Sequence, residues 1–216
     1  KLTMKKIICV FNLVIMFCLS LSLNAQFVKL EVDEINNQGI VPGKTYRVYA
    51  VFETEGDLLL AVYGQTDKDK TLPLSIESTT VFYQHEKGGA LSSAIQRSDV
   101  YNYPELAFDS WLTINGEDNY NSFMKIPPNY KSLLDKFESE GASINFSDGA
   151  WYIMPEQLQA NAGESKRILI MQLTTTGRVS GLINIQGVTH EMFDENGESL
   201  GRNVIREEGL VFVAGQ

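Results

Sequence analysis

Cysteine is what this chain does almost without: its two, Cys9 and Cys18, both lie in the first 25 residues. Past Ala25 there is no thiol to close a disulfide, hold zinc or act as a nucleophile. Histidine is as scarce, with only His85 and His190, far apart in the sequence. Neither accompanies a Gly-x-Ser-x-Gly elbow, and two histidines among scattered carboxylates have poor zinc spacing, so no catalytic residue is nominated. His85, in YQHEKGG, reads as a loop residue, and His190, alternating with Val188 and Met192, as a strand residue at a sheet edge. Positive charge is also short, with 18 Lys and Arg against 27 Asp and Glu and a net charge of −9.

The one long apolar run extends from Ile7 to about Leu23, behind Lys5 and Lys6 and ahead of Leu23-Asn24-Ala25. A charged start, an apolar stretch and small or neutral residues at the end make residues 1–25 a secretory signal peptide, with the mature protein starting near Gln26. The competing reading is a membrane anchor, for which the run is borderline in length. Phe17, where a lipoprotein precursor would need a small residue before its cysteine, argues against acylation of Cys18. Removing Lys1, Lys5 and Lys6 leaves 15 basic against 27 acidic residues, a charge of −12. Such a surface repels nucleic acid and anionic lipid, so the expected location is secreted or cell-surface, with no membrane insertion after cleavage. The chain also reads as a piece of a longer modular protein.

Residues 26–216 suffice for one large β domain with a packed core. TYRVYAVFE alternates, placing Tyr46, Val48, Ala50 and Phe52 on one face and Thr45, Arg47 and Tyr49 on the other. FVKLEVDE precedes it across a turn carrying Gly39, Pro42 and Gly43, which predicts a first hairpin. LLLAVYG, ESTTVFYQ, ELAFDSWLTI, RILIMQLTT, RVSGLINIQG, VTHEMF and GLVFV continue the pattern, giving about nine or ten short strands. This predicts an all-β, antiparallel β-sandwich of jelly-roll or Ig/cohesin-like type. Its core should include Tyr46, Val48, Phe52, Leu169, Met171, Ile183 and Ile185. One segment, Asn129 to Gly141, has Leu133, Leu134 and Phe137 at helical spacing and reads as a short helix lidding one end of the core. His85 to Tyr103 and Gln157 to Lys166 read as long loops.

Oxygen-rich turns raise calcium as a candidate ion. NGEDN, with Asp109, gathers Asp109, Glu117, Asp118 and Asn119 at one rim; an alternative is the DENG turn with Asp194 and Asn196. The latter is no EF-hand, because Ile205 occupies the twelfth position where a glutamate is needed. Each cluster also reads as a plain solvated loop or an Asn-Gly hairpin turn. Trp111, Trp151, Tyr120 and Tyr152, with Tyr101 and Tyr103, offer aromatic faces for stacking on sugar, against core burial as the simpler reading.

VPGKTYRVYAVF (Val41 to Phe52), PLSIESTTVFYQ (Pro73 to Gln84), ELAFDSWLTI (Glu105 to Ile114) and ILIMQLTTTGRVSGLINIQ (Ile168 to Gln186) together resemble an uncharacterised domain of secreted modular bacterial proteins. The resemblance implies an N-terminal position in a larger protein, followed by repeats or a sorting module, and carries no activity. More weakly, the ending from Val188 to Val213 resembles the closing hairpins of cohesin-type sandwiches. Cohesins bind dockerin partners, and no dockerin-contact motif is present here. The leading functional expectation is a non-catalytic structural or interaction module whose partner is an extracellular protein or polysaccharide. A carbohydrate-binding module is the alternative, and a glycoside hydrolase using two carboxylates the third reading. Intact-mass analysis of secreted protein should give a species beginning near Gln26; a membrane-bound species retaining Met4 to Ala25 would make the run an anchor.

Overall fold

The computed structural model describes residues 29–215, so the expected signal peptide and the first residues of the strand from Phe27 lie outside it. Two antiparallel sheets face each other across one core, the sandwich that the alternating strands predict. The first sheet has four strands in the order β1 (Lys29–Ile35), β2 (Lys44–Val51), β9 (Arg167–Thr175), β6 (Trp111–Leu112). The second has seven strands and is organised around β10 (Val179–Val188). One edge of β10 pairs with β13 (Val204–Ala214); the other pairs first with β5 (Leu74–Ser78) and then with β3 (Leu58–Thr66). Beyond these, β7 (Ile144–Phe146) adds to β5 and β8 (Gly149–Tyr152) to β3, while β4 (Thr71–Leu72) caps the end of β3. A separate hairpin, β11 (Met192–Phe193) and β12 (Ser199–Gly201), stands apart from both. Among the described residues no helix is long and apolar enough to cross a membrane.

Tyr46, Val48, Phe52, Met171, Ile183 and Ile185 all lie in the inter-sheet core, as their parity predicts. Leu169 is buried too, but on the opposite face. The register of β2 with β9 slips between Met171, opposite Val48, and Leu169, opposite Tyr49, so Ile170 is an extra residue. That bulge lets Ile170 join the core with Met171 and turns Leu169 outward, where it packs with Ile95, Leu106 and Trp111 in a second cluster.

Two expected strands are mostly not strands. ELAFDSWLTI contributes only Trp111–Leu112, because Pro104 opens a 3-10 turn, Pro104–Phe108, that sets Leu106 into the second cluster. ESTTVFYQ extends β5 only to Ser78; its hydroxyls then bond locally and across to β9, with Ser78 Oγ and Thr80 Oγ1 each 2.8 Å from Thr175 Oγ1. Such bonds compete with a strand ladder. The helical segment is a 3-10 turn, Pro128–Leu134, running into an α-helix, Asp135–Glu140. Leu134 and Phe137 face the core while Leu133 is exposed, and Phe137 meets Phe82 edge-on at 5.6 Å between ring centroids. Gly141 ends the helix at φ 65°, and a Cβ there would lie 2.0 Å from the Phe82 carbonyl oxygen, so both conformation and space require glycine. His190 falls just past the end of β10, so it is a connector residue, not a strand residue.

Asn184 is the one polar side chain buried in the middle of β10. Its Nδ2 donates to the carbonyls of Tyr63 (2.9 Å), Pro73 (3.2 Å) and Leu72 (3.4 Å), and its Oδ1 accepts from Gly209 N–H at 2.9 Å. Ile183→Ala should lower unfolding free energy by about 2–5 kcal/mol in urea titrations. Asn184→Ala should cost about as much by orphaning several backbone groups, whereas Val211→Ala, on the exposed face of β13, should stay within about 0.5 kcal/mol. A small loss for Ile183→Ala would mean that the inward parity of β10 is inverted.

Candidate functional site on the outer face of the four-stranded sheet

The outward residues of β2 and β9 carry the site. Arg47 and Tyr49 point away from the core, and Gln172 lies opposite Arg47 on β9. Arg47 Nε donates to Gln172 Oε1 at 2.9 Å, while Gln172 Nε2 donates to the carbonyls of Ala107 and Asp109, each at 2.9 Å. One buried amide thus clamps the 3-10 turn onto the sheet. Between that turn, the short helix Arg97–Val100 and the loop after β6 lies a cleft of about 300 Å³. Its floor is Trp111, Ile95 and Ala107; its walls are Val100, Tyr101, Arg97 and Asp118; Arg47 and Glu117 close one end.

The charges along the rim are paired. Arg47 Nη2 donates to Glu117 Oε2 at 2.7 Å, and Arg97 Nε to Asp118 Oδ2 at 2.5 Å. The bond to Asp118 raises the Arg97 guanidinium above its already high ordinary value, so it stays cationic. Asn119 Oδ1 accepts from Arg97 N–H at 3.1 Å, and Asp118 Oδ1 from Tyr120 N–H at 2.9 Å, which fixes the loop against the helix. The Arg97 guanidinium lies 5.1 Å from the Tyr120 ring centroid. Tyr120 is 65% exposed and Tyr101 is 92% exposed.

Several expected site residues therefore separate. Glu117, Asp118, Asn119 and Tyr120 do come together, but as partners of arginines and backbone groups. Asp109 is buried elsewhere: its Oδ1 accepts from His85 N–H at 2.7 Å and its Oδ2 from Gly89 N–H at 3.1 Å. The rim proposed for calcium is thus not one cluster, and an ion there would have to share Asp118 and Glu117 with Arg97 and Arg47. Among the described residues no group of three or more His, Cys, Asp or Glu is arranged to hold a metal. Asp194 closes its own hairpin, accepting from Asn196 N–H (2.9 Å) and Glu198 N–H (2.7 Å), bonds led by that from Glu198 that lower its pKa. Only Gly197 in that turn takes positive φ, at 80°.

The stacking expectation is corrected for both tryptophans. Trp111 is 2% exposed, a floor beneath its neighbours and not an open platform. Trp151 is fully buried, its Nε1 donating to the Thr113 carbonyl at 3.0 Å and so bridging the two sheets. Tyr152, half-buried on β8, belongs to the seven-stranded sheet, away from the cleft. The histidines also serve local structure. His85 Nε2 lies 3.5 Å from Glu105, and His190 Nδ1 lies 3.1 Å from the buried Asp57. Sequence reasoning did not find Arg97 or Val100: they stand in a stretch without periodicity, and only the fold brings them over Trp111. Comparison with protein-family models, curated proteins and solved structures found no match to this chain.

Burial pushes the Asp109 carboxyl up to about 7, against the opposing pull of the His85, Gly89 and Ser110 N–H bonds and with help from the charge of Glu138. Its folded pKa exceeds the unfolded value of about 3.9, so its contribution favours folding fully below that value and is lost as pH rises through 7. A shift of about three units corresponds to up to about 4 kcal/mol. Stability measured from pH 4 to 7.5 should therefore fall in the wild type relative to Asp109→Asn. Parallel curves for the two proteins would refute the assignment.

Proposed function

We propose that this chain is a non-catalytic interaction module that works outside the cell and engages its partner at the cleft over Trp111. The observation that carries the reading is the pairing of Tyr101, 92% exposed at the C-terminal end of the short helix Arg97–Val100, with an apolar floor and charge-compensated rim. An aromatic ring left in water is no help to folding, and concave apolar sites with a few convergent polar groups are where proteins take ligands. The extracellular setting is supported by the secretory pattern of residues 1–25, the absence of cysteine beyond them and the charge of −12 derived from 15 basic and 27 acidic residues. The resemblance to a domain of secreted modular proteins belongs to the same proposal. Glu117 and Asp118 are the carboxylates of the cleft, and each is engaged by an arginine, which favours a holding role over hydrolysis.

The test is sedimentation with the insoluble extracellular material of a producing culture. Wild-type protein should co-sediment and release no soluble fragments from it. Arg97→Ala combined with Tyr101→Ala should abolish co-sedimentation without lowering the melting temperature by more than a few degrees, since both side chains are largely exposed. Equal binding by the double variant would remove the cleft from the reading, and fragment release by the wild type would make the protein an enzyme.

A further inference from the structure

We infer that the ligand class of this cleft is a neutral carbohydrate, held by the Tyr101 ring and the two arginine-carboxylate pairs; this rests on the cleft being the binding surface. Charge comes first. Arg47, Arg97, Glu117 and Asp118 balance to zero at the rim, so the site offers no net attraction to an ionic ligand, and the acidic chain around it repels anionic polymers. Hydrogen-bonding capacity comes second. The Arg47 to Glu117 bond uses Nη2 and Oε2, and the Arg97 to Asp118 bond uses Nε and Oδ2. Glu117 Oε1 and the Arg97 Nη groups take no part in either, so donors and acceptors stand side by side. Adjacent hydroxyls, each donor and acceptor at once, match such an alternation; an apolar or singly charged ligand does not.

Shape comes third. About 300 Å³ beside a free aromatic ring suits a compact ring with an apolar face and a polar edge. An extended peptide is the poorer fit, because a peptide that adds a strand needs an open sheet edge. The neighbouring strand β6 is two residues long, and beyond it Leu91 bridges Leu112 while Leu112 N–H bonds the Ala90 carbonyl. The edge is closed.

Affinity electrophoresis of the intact protein in gels containing laminarin, xyloglucan, galactomannan or soluble starch tests this, with alginate and chondroitin sulfate as anionic counterparts. Retardation is expected in at least one neutral gel and in neither anionic gel. Tyr101→Ala should weaken it about tenfold or more, while Phe193→Ala, also an exposed aromatic but on the β11–β12 hairpin, should leave it unchanged. No retardation in any neutral gel, retardation only by the anionic polymers, or full retention by Tyr101→Ala would each overturn the inference. Protease treatment of the extracellular material separates the two levels. If digestion abolishes co-sedimentation, the interaction reading stands with a protein partner and the carbohydrate assignment falls; if wild type never co-sediments, the reading beneath it falls as well.

Discussion

The seven-stranded sheet depends on what happens at Asn184, where β10 changes partner. Residues 179–182 of β10 pair with β5 and residues 184–188 with β3, so two separate strands must meet end to end along one edge. Their junction leaves carbonyls that no regular ladder satisfies, and burying them unpaired would be costly. The Asn184 amide reaches the Tyr63 carbonyl on β3 and the Leu72 and Pro73 carbonyls on the approach to β5. On the opposite edge, the register with β13 shifts between Ile183 and Ile185, and the Gly209 N–H returns to Asn184 Oδ1. A single side chain thereby fixes both edges of the central strand. The β7 and β8 strands inherit this arrangement, because β7 extends β5 while β8 extends β3.

The face that carries the cleft follows from a comparable slip in the other sheet. Without the extra residue at Ile170, Leu169 and Met171 would share a face, and the outer surface of β9 would lose its apolar anchor. With it, Leu169 joins Ile95, Leu106 and Trp111 outside the sandwich, so β9 is buried on both sides. The long connection from β5 to β6 packs down on that second cluster instead of trailing in solvent. Asp109 then pins the inner part of this connection through the His85 and Gly89 N–H groups, and the approach is so close that a Cβ on Gly88 would lie 1.8 Å from Asp109 Oδ2. The apolar cluster supplies the cleft floor, and the pinned connection supplies its wall.

Alternation made β2, β9 and β10 legible, since Tyr46, Val48, Ile183 and Ile185 repeat at period two and do face the core. The same logic misplaced Leu169, because a bulge leaves no mark in the apolar pattern. It also extended β6 over Glu105 to Ile114, where a mix of apolar residues conceals two different burial sites, the inter-sheet core for Leu112 and Ile114 and the outer cluster for Leu106 and Trp111. Clustered carboxylates at 117–118 were visible, but not the arginines that occupy them: Arg47 arrives from a strand 70 residues earlier and Arg97 from a stretch with no periodic signal. Pairings of that kind are decided by topology, which composition does not encode.

Compensation at the rim has a consequence for how the cleft is kept ready. A lone arginine or carboxylate over an apolar floor would swing toward solvent, and its rotamers would have to be frozen on binding at a cost of up to about 2 kcal/mol each. Here the Asp118 carboxylate is held by the Tyr120 N–H as well as by Arg97, and Arg47 is braced by the buried Gln172 amide as well as by Glu117. The polar groups are therefore oriented before any ligand arrives. Tyr101, the most exposed large side chain beside the cleft, takes no part in these bonds, so its ring contributes apolar area to the site and not a fixed polar contact.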